Sequence, residues 1–369
     1  METASKKPLP LLLLLLLALR AAVQAQFYCT TNNGTITITG YYGSGGAVII
    51  PGTTNGLLVT GIGDRAFAES TTLTSIEIPN SVTNIGGDVC ADCTSLTAIT
   101  VGALNPAYSS LAGVLFDESQ TTLTQYPPGA TAGSYTIPDS VTNIGGDALI
   151  DCTSLTNITI PNSITSIGDS AFHDCDSLIS LTIPNCVTSI GDSAFNSCDC
   201  LTSITIPNSV TNIGGWGFAF CPSLTNVTIG NSVTNIAAWA FGYCARLTGI
   251  YFSGNAPSAD SSVFYRDTYA TVYYLPWTSG WDKWVSPPQA VPWRPQVQTT
   301  DGSFGVQTNQ FGFNITWASG VVVVVEACTN LINPAWSPVQ TDTLTGGSSY
   351  FSDPQWTNYP ARFYRLRTP

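Results

Sequence analysis

The chain has 369 residues, a formal net charge of −12 and only 9% charged residues, against ~25% in an ordinary soluble domain. An acidic, sparsely charged surface repels phosphate backbones, which argues against a nucleic-acid partner. Thr, Ser and Asn supply the polar surface instead, a composition that fits a β-rich extracellular scaffold better than a cytosolic enzyme.

Residues 1–25 read as a signal peptide. Lys6 and Lys7 form a basic start, Leu11 to Leu17 is an unbroken apolar run, and Val23-Gln24-Ala25 offers small residues for cleavage before Gln26. The expected destination is secretion or the cell surface. No later stretch reaches the ~18 apolar residues of a membrane span, so no transmembrane segment is expected in the mature chain. Residues 26–55 alternate and are rich in turn formers, with a hairpin signal at Asn33-Gly34. They read as an N-terminal β cap.

From residue 56 to 255 the sequence repeats every 23 residues. Leu155, Leu178, Leu201, Leu224 and Leu247 keep that step, as do Leu73 and Leu96. So do Pro138, Pro161, Pro184 and Pro207, with Gly230 in the next slot, and Phe172, Phe195, Phe218 and Phe241. Within one unit, Leu201 to Ile206 is a β-branched segment ended by Pro207, which predicts a strand with Ile204 and Ile206 on one face and Ser203 and Thr205 on the other. Val210 and Ile213 then turn inward. Asp169 and Asp192, placed before Ser-Ala-Phe, are expected to cap a short helical or 3-10 turn. A lone coil buries too few side chains to fold, so the coils must stack into a solenoid on a parallel sheet.

The unit running from Leu201 through Pro207, Val210, Ile213-Gly214 and Phe218 to Cys221 resembles the BspA-like class of bacterial leucine-rich repeats. The resemblance covers roughly residues 55 to 255. It implies a curved right-handed solenoid carried by exported or cell-surface proteins that act as adhesins or ligand-binding proteins and are not enzymes.

Pro79 to Pro138 spans 59 residues, which breaks the period and marks an insert at about 103–132. It reads as two extra strands around a polar turn at Asp117 to Gln120, either a hairpin extending one coil or a protruding recognition loop. Cys93, Cys152, Cys175, Cys198, Cys221 and Cys244 share one core-facing slot, and Cys90 takes the Phe slot. Stacked Cβ atoms ~4.8 Å apart exceed the ~3.8 Å a disulfide prefers. These thiols therefore read as a free structural ladder. Bridges at Cys29, Cys186, Cys200 or Cys328 stay open.

Residues 256–286 read as a C-terminal cap. Trp277, Trp281 and Trp284 there either close the solenoid end or stack on sugars. Residues 287–299 are rich in proline and read as a stiff linker. Residues 300–369 alternate between apolar and polar positions and read as a small all-β sandwich with Val321 to Val325 as a central strand. That segment, with Glu326-Ala-Cys-Thr-Asn-Leu331, Trp336-Ser-Pro338 and the Phe363-Tyr-Arg365 ending, resembles a C-terminal module of exported bacterial repeat proteins.

No catalytic constellation is legible, and no cofactor or metal is called for. His173 is the only histidine. It reads as a surface residue. Asp169, Asp174, Asp176, Asp192 and Asp199 cluster on adjacent turns as solvated caps or calcium bridges, without an EF-hand spacing. The most informative surface is the outer face of the strands, where Asn157, Ser180, Ser203 and Asn226 form one column and Thr159, Thr182, Thr205 and Thr228 another. Such an array predicts a binding or adhesion scaffold for a protein or glycan ligand. A purely structural surface protein and an ice-type array of ordered water are the competing readings.

Overall fold

The computed structural model describes residues 26–284 and 288–368; the expected signal peptide lies outside them. The chain divides into two units, one of residues 26–272, 280–284 and 288–289, the other of 273–279 and 290–368.

In the first unit the 23-residue period becomes a parallel stack. Ser203–Ile206 pairs in register with Asn226–Ile229, and that with Gly249–Phe252, so Ile204 meets Val227 and Val227 meets Ile250. Gly46–Ile49, Leu73–Ile78 and Ala98–Val101 form an equivalent ladder nearer the N-terminus, and Ser134–Thr136 pairs with Asn157–Thr159. β-branched side chains fit this pleated, half-buried surface. The coil at Leu178–Pro184 departs from the pattern: it makes a single bridge, Asn157 to Ser180, and no strand. It carries Leu181 where its neighbours carry Ile158 and Ile204, and Ile179 is 52% exposed.

Val210 and Ile213 do face inward, and the structure adds a second ladder at their level. Asn143–Ile144, Ser166–Ile167, Ser189–Ile190, Asn212–Ile213 and Asn235–Ile236 pair in parallel, one rung per coil. Thr165, Thr188, Thr211 and Thr234, just before this ladder or its rungs, each donate a hydroxyl to the carbonyl of the residue 23 positions earlier. The glycine that follows the Ile190 and Ile213 rungs is forced by proximity: a Cβ on Gly191 or Gly214 would fall 2.6 or 2.4 Å from the carbonyl carbon of the preceding coil's glycine, whereas the last rung is followed by Ala237.

Where short helical turns are expected, the chain forms a third ladder of turns. Ser170, Phe172 and Asp174 donate their backbone N–H groups to the carbonyls of Asp192, Ala194 and Asn196 on the next coil. Ser170 and Asp174 have φ of 51° and 55°. Residues of positive φ spaced in this way aim alternate N–H groups along the stack, whereas a helix would aim them back along its own coil. Asp169 and Asp192 accordingly do not cap helices. They accept the N–H of Asp192 and Gly215 on the following coil, at 2.9 and 2.7 Å.

The N-terminal cap is a hairpin of Phe27–Asn32 and Thr35–Tyr41, turning at Asn33 (φ 49°) and Gly34 (φ 79°). The insert contains three strands instead of two: Tyr108–Leu111, Val114–Asp117 and Thr122–Gln125 form an antiparallel meander, and the last joins the second ladder in parallel. Val114, Leu115 and Phe116 are buried, so the insert extends the core. Across it, Asp147 and Asp151 accept the N–H groups of Asp88 and Asp92, 59 positions earlier, at 3.1 and 2.7 Å. Burial raises both carboxyls above their ordinary range, and the neighbouring aspartates add to the effect.

The second unit holds two antiparallel sheets. One contains Gln296–Gln298, Gly305–Gln307, Gln310–Thr316 and Ser348–Asp353; the other has Val322–Cys328 between Ser337–Thr343 and Phe363–Arg367. Phe313, Ile315 and Phe351 meet Val323 and Val325 in one core. Residues 290–292 and 296–298, read from the sequence as linker, are strands; Pro292 ends one and Pro295 precedes the other, positions where a missing N–H does no harm.

Candidate functional site

The outer strand face is built by alternation. Ile204 and Ile206 are buried, while Ser203 and Thr205 between them are exposed. In-register pairing sets Ser203 beside Asn226 and Thr205 beside Thr228. Asn157 and Thr159 are exposed and pair with Ser134 and Thr136. Ser180 reaches this array through its bridge to Asn157, whereas Thr182 is exposed outside any strand. Thr228 is half-buried next to Tyr251. The expected columns therefore form two adjoining patches, 134–159 and 203–228, separated by an irregular coil.

The cysteine column is interior. Cys93, Cys175, Cys198, Cys221 and Cys244 donate their thiols to the carbonyls of Phe67, Leu149, Phe172, Phe195 and Phe218, at 3.0 to 3.3 Å. Cys152 is buried in the same column and bonds Ile150. A hydrogen bond with the thiol of the preceding coil, followed by burial, pushes Cys221 and Cys244 well above the usual thiol range, and burial, followed by contact with Cys175, does so for Cys152. Beside them the rings of Phe172, Phe195, Phe218 and Phe241 stack at 4.9 to 5.3 Å.

Burial raises the Asp176 carboxyl, and Asp199 and Asp174 add to the shift. His173 Nδ1 lies 3.0 Å from Asp174 Oδ2. Among the described residues, no three His, Cys, Asp or Glu side chains are grouped so as to hold a metal ion. Of the cap tryptophans, Trp281 packs against Phe252 at 4.9 Å and Trp284 against Phe264 at 6.4 Å, which closes the core of the first unit. Trp277 belongs to the second unit and lies 5.5 Å from Trp317.

One surface feature escapes the sequence reading. On the turn side of the last coils, the positive-φ positions are occupied by Trp216, Phe220, Trp239 and Tyr243. The signal was available, because Trp216 and Trp239, like Phe220 and Tyr243, are 23 residues apart. These slots hold Arg and Glu in the first coil and Asp or Ser in those that follow, and so read as variable surface.

The profile of the BspA type leucine-rich repeat region matches residues 54–124, 130–248 and 165–276, in six copies. Among solved structures, the pneumococcal vaccine antigen PcpA is similar at 21% identity with a TM-score of 0.55, over 67% of this chain and 68% of that one. A leucine-rich repeat protein from Eubacterium ventriosum is similar at 19% identity with a TM-score of 0.50, over 70% of this chain and 96% of that one. These likenesses show a shared solenoid fold. No curated protein matches the sequence.

Proposed function

Because the chain belongs to the BspA-type leucine-rich repeat family, we propose that it is an exported, non-catalytic binding or adhesion scaffold whose outer strand face recognises a protein or glycan ligand. Supporting this is the exposed array at Asn157, Thr159, Ser203, Thr205 and Asn226, held in register by a backbone that needs none of those side chains for its core. The threonines before the second ladder differ, since their hydroxyls are committed to the preceding coil. Among the described residues no helix is long and apolar enough to cross a membrane.

A pull-down from extracellular and matrix proteins, run beside a glycan array, tests the reading with the wild-type chain and a Thr159→Arg/Ser203→Arg/Thr205→Arg variant. Retained wild-type ligands that the variant loses support recognition by this face. Unchanged binding by the variant removes the face from the account. Self-assembly without any soluble ligand favours the structural alternative.

A further inference from the structure

Trp216, Phe220, Trp239 and Tyr243 form a two-by-two block of nearly parallel rings on the turn side of the first unit. Trp216 stacks on Trp239 at 4.9 Å and 2°, and Phe220 on Tyr243 at 4.6 Å and 9°. At such separations parallel rings overlap face to face, since rings lying edge to edge would stand farther apart. Within their own coil the rings of Trp216 and Phe220 are 5.9 Å apart and 9° from parallel. They make one wall across the stack.

One end of the block is closed. Tyr265 tilts against Trp239 at 4.5 Å and meets Tyr243 edge-on at 5.6 Å, and the Arg266 guanidinium lies 5.6 Å from the Tyr243 ring. The other end is open. On the preceding coil the two matching positions are Ser193 and Ser197, whose N–H groups bond Gly215 and Ala219 beside the wall. A serine is too small to cover an indole or a phenyl face. Trp216 and Phe220 are accordingly 37% and 41% exposed, while Trp239 and Tyr243 behind them are half-buried.

The backbone does not ask for these residues. All four aromatics sit at φ between 55° and 64°, a region that bulky side chains seldom occupy. Upstream coils meet the same requirement with Asp147 and Asp151, Ser170 and Asp174, or Ser193 and Ser197. Strain kept in this way at a surface points to a use for the rings.

We propose that the open face of Trp216 and Phe220, above the shelf of Ser193 and Ser197, is a binding site for a neutral glycan. A pyranose ring has one flat C–H face to lay on the wall and an edge of hydroxyls to meet the serine shelf. The charge of −12, with Asp192 one residue from the shelf, disfavours a sulfated, uronic or phosphorylated ligand. The site is separate from the strand face and stands or falls independently of it.

The test titrates the protein with neutral oligosaccharides of glucose, galactose and mannose, following tryptophan emission and heat. At least one series is expected to bind saturably and shift the emission. Trp216→Ser and Phe220→Ser place in each slot the residue type that the upstream backbone already carries, so melting temperature should hold while affinity falls at least tenfold. The tryptophan-emission shift, which reports on the wall alone, should titrate alike in the strand-face Arg variant, whatever heat the strand face itself contributes. Absence of binding by every neutral series, or unchanged affinity in the folded serine variants, would overturn the proposal. So would a wall that the serine variants show to be an interface between two copies, read as loss of a dimer in sedimentation.

Discussion

Asp267 illustrates how a single side chain closes a repeat. It is 5% exposed and its Oδ1 accepts the Cys244 N–H at 2.7 Å. Burial pushes its pKa up to about 7 in the fold, against 3.8 for an unburied carboxyl, although the Cys244 N–H pulls the other way. Below pH ~3 the group is protonated folded or unfolded and costs nothing. As pH rises toward 7 the unfolded chain ionises first, so stability is lost across that window, up to roughly 4 kcal/mol. Asp267→Asn keeps the acceptor and removes the proton. Its melting temperature should exceed that of the wild type at pH 8 and match it near pH 3; equal pH profiles would show that Asp267 does not titrate in this way. In the second unit Glu326 goes in the opposite direction, its carboxyl held low by hydrogen bonds from Arg367 and Arg365.

At the scale of the element, coil spacing is set by what the glycine column leaves out. Gly191→Ala would drive a methyl group into the Gly168 carbonyl carbon and the Asp169 N–H, and overpacking of this kind costs about 1–3 kcal/mol. Gly146→Ala meets only an ordinary contact, the Asp169 carbonyl at 3.4 Å, and should change little. Urea midpoints of the two variants would separate proximity from glycine's flexibility, because similar losses in both would implicate flexibility. The strands were legible because Ile204 and Ile206 alternate with Ser203 and Thr205, and the Asn33-Gly34 hairpin because its turn chemistry is local. The turn ladder was not. Asp169 before Ser-Ala-Phe has the pattern of a helix cap, and only the presence of a coil 23 residues later to accept the N–H of Phe172 favours the other conformation. The aromatic wall was missed for a related reason: a surface slot that varies from Asp to Trp carries no periodic signal until stacking makes neighbours of Trp216 and Trp239.

Across the whole molecule, stability in the first unit is a sum of coil-to-coil interfaces along one axis. The interface between residues 201–221 and 224–244 has three ladders of backbone hydrogen bonds, a stacked Phe pair and a buried thiol pair. Two places stand out as having less. At the insert, carboxylates of Asp147 and Asp151 stand in for backbone carbonyls, and at Leu178–Pro184 the strand ladder thins to one bridge. Pulled along its length, this construction behaves as a spool. Each coil that peels away releases 23 residues, or roughly 80 Å of slack at full extension. Pulling on the ends of residues 26–255 should therefore give a staircase of steps of that length, with the lowest forces at the seam near Ser180. A single all-or-none rupture would instead mean that the coils share load as one block. A chain built this way yields in instalments: each peeled coil adds length before the next interface is loaded, which dissipates a sudden pull that a rigid fold would transmit whole.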